Sequence, residues 1–305
     1  MTLLAILGVI SSAIYSGTSL LYATLGEVVG ERSGIVNLGL EGVLLVSAAV
    51  GVSVASVTHS AYLGVAAAVL AGGLMNLVFG YLVISRRANQ LASGLATMFL
   101  GFGLSALIGK DVVGARIAAL PRLPLPGLGG LPPVYSSLFK FDILVFLVVP
   151  IAILLWWLLF RTRWGLGVRA AGENADIAFA SGRNPLWIRY QALFVAGLLA
   201  GLGAAHLTLA YTMTWSEYMT GGRGFIAVAL VIFSKWHPLR AIAGALLFSG
   251  AVAFQLLMQA SGVQISPFLL DTLPYLVTIL VLIAWGGNRK QSAPASLGRV
   301  YMGTE

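Results

Sequence analysis

Apolar residues fill this chain in long runs, and most polar positions fall between them. Nearly uncharged windows lie at roughly 3–22, 35–57, 62–84, 94–109, 142–160, 190–211, 225–234, 239–260 and 271–286. Several reach about 18 residues, enough for an α-helix to cross a hydrocarbon layer about 30 Å thick. Alternating β-barrel patterning is absent, so the spans are expected to be helices, which satisfy their own backbone hydrogen bonds in lipid. The pattern predicts an all-α, polytopic transmembrane helix bundle of about nine spans, with a range of eight to ten. The window at 225–234 is too short to cross alone unless Gly222–Phe225 joins it or the segment is re-entrant.

Composition strengthens this reading. The chain has 305 residues, of which 59% are hydrophobic and 9% charged, with a mean hydropathy of +0.94. A soluble core of this size does not need so much apolar sequence. The net charge of +8 does not point to nucleic acid, because the basic residues are spread over short connections and form no single face. They orient the chain instead. One set of connections holds Arg32, Arg86, Arg87, the arginines of 161–190, Lys235, Arg240, Arg289, Lys290 and Arg299, which is 13 of the 18 basic residues. The positive-inside rule puts that set in the cytoplasm, the N-terminus outside and the C-terminus inside. The apolar N-terminal segment lacks the positive start of a signal peptide and is expected to be the first, retained span. Residues 1–288 then form one transmembrane domain, with 161–190 as its largest cytoplasmic connection. Residues 289–305 are expected to be a polar, mobile cytoplasmic tail.

The chemistry of an enzyme is not evident. The chain has no cysteine, which excludes disulfide, thiolate and iron–sulfur chemistry. His59, His206 and His237 are too scattered to suggest a metal site. The segment Gly101–Asp111 looks like a phosphate-binding loop, but five residues separate Gly103 from Gly109-Lys110, and Asp111 replaces the required hydroxyl. No catalytic residue, metal or cofactor is expected, and a working role for such a chain is to move something.

The connection Arg161–Gln191 carries five arginines, Glu173, Asp176 and two asparagines. Within it, Asn174 can cap a helix, Asp176 sits in its first turn, and Gly182 follows its end. The helix would have only about two turns, too few to stand alone. Ala175, Ala178, Phe179 and Gly182 share one face at helical spacing. That face suits either insertion into a groove on another protein or packing against its own loop. Gly114–Lys140 holds five of the 11 prolines and reads as an irregular outer loop, either a plain connector or a lid.

Polar residues inside spans tend to face the bundle interior. Asn37 and Glu41 are spaced i, i+4 on the second window, and Glu41 is the one acidic residue well inside a predicted span. They either line a path or brace the structure. Gln255 and Gln259 share a face of the eighth window; Asn76, Thr97, Ser105 and His206 lie in others. Such amides either line a path or join helices. The small-residue spacings Gly197–Gly201 and Gly26, Gly30, Gly34 predict close helix contacts. A short echo between "ERSGIV" and "GRGFIAV" has the arrangement of an inverted repeat.

Three blocks, "ERSGIVNLGLEG" (Glu31–Gly42), "RTRWGLGVRAAGENADIAFASG" (Arg161–Gly182) and "GGRGFIAVALVIFSKWHPLRAIAGALLFSG" (Gly221–Gly250), resemble the permease subunits of bacterial ABC importers. The likeness is to the branched-chain amino acid and sugar permease superfamily, nucleoside-uptake subgroup, and within it to the shorter of two paired permeases. It runs from about residue 15 to residue 286. The resemblance implies a paralogous permease subunit, a cytoplasmic ABC ATPase and an extracytoplasmic substrate-binding lipoprotein as partners, in the bacterial inner membrane. It implies that Asn174, Ala175, Asp176, Ala178, Phe179 and Gly182 form the coupling helix to the ATPase, and that the ATPase, not this chain, hydrolyses ATP. The sequence "ASGRNP" departs from many relatives, which have an apolar residue at the place of Arg183. Asn37, Glu41, Gln255 and Gln259 are the candidates for the translocation path. Uncharged donors and acceptors suit a neutral, hydroxyl-rich substrate, because hydrogen bonds are exchanged without desolvating a charge. Such groups favour a nucleoside or a sugar over an amino acid or a phosphate, and the resemblance puts nucleosides first and sugars second. An ion-coupled carrier, with Glu41 as its carboxylate, is the reading from another class.

Overall fold

A computed structural model of the chain describes residues 3–115, 117, 119–124, 139–262, 265–285 and 293–300. Seven described helices are long and apolar enough to cross a membrane. They are α1 (Leu3–Arg32), α2 (Leu40–Thr58), α3 (Ala61–Ser85), α4 (Gln90–Val112), α5 (Ile143–Arg161), α8 (Pro185–Tyr211) and α10 (Pro238–Ala260). Between them lie α6 (Arg163–Glu173), α7 (Ala175–Ala180) and the apolar α9 (Arg223–Phe233); α11 (Pro267–Asp271) and α12 (Leu273–Trp285) follow. The last turns of α3 and α8, Tyr81–Ser85 and Leu207–Tyr211, are π-helical.

Helix starts are written in the local sequence. Asn89, Asp142, Thr162, Asn174 and Asn184 each accept a backbone N–H from the first turn that follows, which satisfies donors the helix leaves open. A two-residue antiparallel ribbon pairs Leu123–Pro124 with Lys140–Phe141. Most of the proline-rich outer loop expected over 114–140 lies outside the described residues.

The bundle is built around α8, which packs against α1, α2 and α3. The expected small-residue contact is there: a Cβ on Gly197 would sit 2.3 Å from the carbonyl oxygen of Gly72, and a Cβ on Gly72 equally close to that of Gly197. The backbones of α3 and α8 therefore touch.

Three expectations change. The first span runs on to Arg32, so it carries Glu27 and Glu31, each 1% exposed. Their charge hid the continuation in the hydropathy pattern, and Glu41 is not the one buried acid. The second helix begins at Leu40, so Asn37 precedes it and shares no helical face with Glu41. Asn37 is instead a brace. Its N–H donates to Glu27 Oε1 (2.8 Å) and its amide to Asn76 Oδ1 (2.6 Å), while Asn76 donates to the carbonyl of Leu193 (2.6 Å). Finally, residues 293–300 of the expected mobile tail are docked on the bundle through backbone hydrogen bonds that no local sequence pattern encodes.

Helix α9 is half a span. Its first residue, Arg223, reaches Ser16 and Ser19 midway along α1, and the turn beyond its end bonds Arg32 at the end of α1. Eleven residues rise about 16 Å, so α9 covers only about half the length of its neighbour.

Candidate functional site, a cleft at a broken helix

The start of α9 creates the site. Gly221 (φ +54°) and Gly222 (φ +83°) turn the chain in the left-handed region, where a side chain is strained. The N–H groups that follow point away from any intrahelical partner. Glu41, in the first turn of α2, meets them. Its Oε1 accepts from Thr220 Oγ1 (2.6 Å) and from Gly222 N (2.7 Å), and its Oε2 accepts from Gly224 N (2.6 Å). The carboxylate is 4% exposed. A negative group at a helix N-terminus is favoured by the unsatisfied N–H groups and the helix dipole together. Glu41 thus holds two discontinuous parts of the chain to each other.

The Arg223 side chain extends from the same turn toward α1. Nη1 donates to the carbonyl of Ser16 (3.2 Å) and to Ser19 Oγ (3.0 Å), and the guanidinium lies 5.8 Å from the centre of the Tyr211 ring. Here a cleft of about 400 Å³ opens between α1, α9, α10 and α11–α12. Pockets of about 300–1,000 Å³ hold small organic ligands. Its polar edge includes Ser16, Thr220, Arg223, Ser249, Gln255 and Asp271; Phe248 and Tyr275, packed edge to face at 5.9 Å, give it an aromatic wall. Gln255 and Gln259 both donate to Asp271 Oδ1, the latter at 3.3 Å. Of the four residues expected to line a path, Gln255 lines this cleft, Gln259 adjoins it through Asp271, Glu41 lies behind it, bonded to the lining residue Thr220, and Asn37 lies within the α1–α3 network away from it. Asn76, Thr97, Ser105 and His206 are buried in the bundle and do not line it. The cleft also holds a basic and an acidic side chain, Arg223 and Asp271, neither of them among the residues the sequence suggested for a path.

The second notable surface is the 161–190 connection. Asn174 Oδ1 accepts from Asp176 N (3.0 Å) and Ile177 N (3.1 Å), and Gly182 ends the turn at φ +77°. So α7 is capped as expected. Its faces divide differently, however. Ala175 and Ala178 are buried against α6 and α8, whereas Asp176, Ile177, Phe179 and Gly182 are exposed. Small alanines let α7 lie close to its own chain, and the bulky Ile177 and Phe179 point outward. Arg183 folds back, its Nη1 donating to the carbonyl of Arg163 (2.8 Å), which closes the loop.

The family model described as "Branched-chain amino acid transport system / permease component" matches residues 9–284. The chain belongs to this permease family. Among its relatives, the permease is 36% identical over 300 residues to the putative glucose ABC transporter permease protein TsgC13 of Haloferax volcanii, covering 90% of each chain. It is 32% identical to the guanosine ABC transporter permease protein NupQ of Bacillus subtilis and 29% identical to the nucleoside ABC transporter permease protein NupC of Lactococcus lactis, covering 96% of each chain in both cases. No solved structure matches the chain.

The sequence leaves Arg223 outside the cytoplasmic set of basic residues and gives no role to Asp271 or Ile177. A signal existed for the first: a Gly-Gly pair directly before an apolar run too short to cross, the pattern of a helix that starts within a bundle. Asp271 gave none, since its neighbours in space come from α10. The segment Gly101–Asp111 is the end of α4, and a Cβ on Gly109 would collide with the Trp215 ring.

Proposed function

We propose that the permease forms the translocation path of an ATP-driven ABC importer for nucleosides, in the inner membrane of a bacterium. The observation that carries this is the near full-length likeness to permeases named for guanosine and nucleosides, covering 96% of each chain. The cleft at α9 supports it. A nucleoside has a flat base and a hydroxyl-bearing sugar, and the cleft offers an aromatic wall together with amide, hydroxyl and carboxylate groups. Ligand orientation in a mostly apolar pocket is set by a few such polar groups.

The membrane arrangement follows the basic residues, with α7 and the 293–300 segment cytoplasmic and the start of α1 outside. The shorter apolar helices α9 and α12, beside the seven long ones, support a reading of about nine segments in the membrane. Ile177 and Phe179 on α7 dock on a cytoplasmic ATPase, which supplies the ATP hydrolysis. A lipoprotein delivers substrate to the outer face, and a paralogous permease completes the pathway. The bonds of Glu41 to α9 leave it a bracing role, which speaks for this reading over an ion-coupled carrier.

Sugar uptake is the second reading, favoured by the likeness to the permease named for glucose. Competition separates the two. In cells expressing the complete system, uptake of radiolabelled guanosine is expected to fall with excess unlabelled nucleosides and to be unaffected by glucose. Labelled glucose taken up while guanosine is excluded would establish the sugar reading instead.

A further inference from the structure

Residues 293–300 lie across the end of the bundle where α6, α7 and α8 meet. On one side, Ser296 N donates to the Gly172 carbonyl (2.9 Å), and Ser296 Oγ lies 2.6 Å from the same oxygen and 3.2 Å from that of Ala171. Ala295 N donates to Glu173 Oε2 (3.2 Å). On the other side, Gly298 N donates to the Gly34 carbonyl (3.3 Å), and Gln90 Nε2 donates to the Arg299 carbonyl (3.1 Å). Leu297 packs on the hydrophobic core. Beneath the segment runs Arg189, 3% exposed, which donates to the carbonyls of Ser33 (3.1 Å) and Ala171 (3.2 Å) and to Ser296 Oγ (3.3 Å). Gly34 is at φ +92°, and a Cβ there would come within 2.5 Å of Ser296 Oγ, so the segment passes close over the α1–α2 junction.

These contacts join two parts of the molecule. One is the end of α6, directly before the cap of α7; the other is the α1–α2 junction with the start of α4. Six residues are too few for α7 to hold its own orientation, so tertiary contacts must set it. The contacts made by 293–300 fall on Ala171, Gly172 and Glu173, immediately before Asn174. The end of α6 also meets the junction directly, since a Cβ on Gly172 would lie 2.1 Å from the Arg32 carbonyl oxygen, and residues 293–300 fasten the two across that contact.

We propose that residues 293–300 form a strap that positions α7 and passes its displacement to the α1–α2 junction, with Ser296 as the positioning residue. The strap rests on the reading of α7 as the coupling helix. It acts through α7 and touches no substrate.

The test uses the assembled importer carrying Ser181→Cys as the permease's one thiol, in three forms: full chain, deletion of 293–305, and Ser296→Ala. Maleimide reactivity at position 181 reads the freedom of α7, ATP hydrolysed per substrate transported reads coupling, and a thiol cross-link from position 181 to the ATPase reads docking. The deletion is expected to raise both the labelling rate and the ATP-to-substrate ratio several-fold, with Ser296→Ala intermediate and the assembly intact. Unchanged labelling and ratio in both variants would overturn the strap. Faster labelling in the variants without any cross-link from the full chain would leave the anchoring in place and defeat the coupling reading of α7. Ser296→Ala keeps the strap's backbone bonds, so it remains informative should the deletion fail to assemble.

Discussion

At the residue scale, Glu41 shows how a charge is kept in a membrane bundle. It meets three donors at the start of a half-helix, and burying a carboxylate without such partners would be prohibitive. Glu41→Gln keeps the shape but turns an amide donor toward N–H groups. A buried donor left unsatisfied costs about 1–3 kcal/mol, so the variant should unfold at lower temperature in detergent and transport more slowly while still retaining the ATPase. Wild-type melting and wild-type uptake would remove Glu41 from this role. The glycines give a second test. Gly197→Ala forces a Cβ into the backbone of α3 and should destabilise by about 1–3 kcal/mol, read as a lowered melting temperature. Gly103→Ala, with open space around it, should melt like the parent. The close-packing role of Gly197 was legible from its small-residue spacing; the partners of Glu41 were not, because they lie 179 to 183 residues away in sequence.

At the element scale, the capped start of α7 could be read directly from Asn174, Asp176 and Gly182, but its orientation could not. Helical spacing groups Ala175, Ala178, Phe179 and Gly182, yet which side faces the bundle depends on α6 and α8. The structure turns the alanines inward. The variants therefore separate. Phe179→Ala and Ile177→Ala should leave the chain folded and weaken ATPase retention, since truncating an apolar anchor costs about 2 kcal/mol, roughly thirtyfold in affinity. Ala178→Glu should instead destabilise the permease itself, because it places a charge at a buried position. Co-purification with the ATPase, set beside thermal melting, distinguishes them. Full ATPase retention by both Phe179→Ala and Ile177→Ala would take the docking role away from α7. The helices themselves were legible where apolar runs are long. The end of α1 was not, because buried acids with partners look like the end of a span when hydropathy alone is weighed.

At the scale of the whole molecule, seven long helices among the described residues form the bundle, a half-helix packed on α1, α2 and α10 opens a cleft at its start, and residues 293–300 tie down the end where α6 meets the α1–α2 junction. Orientation is the first consequence to check. In the cysteine-free permease, a thiol at Thr58, in the last turn of α2, should react with an impermeant maleimide from outside. One at Ser181 should react only when the inner face is opened. The reverse pattern would invert the topology.

The central claim is that the permease moves nucleosides by drawing on ATP hydrolysed by a partner. The measurement that tests it most directly is guanosine uptake into proteoliposomes holding the permease with the paralogous permease, ATPase and lipoprotein proposed as its partners. The account predicts uptake that requires ATP on the ATPase side, that persists when ion gradients are collapsed, and that is absent when the permease is reconstituted alone. Uptake driven by an ion gradient without ATP, or by the isolated permease, would contradict it.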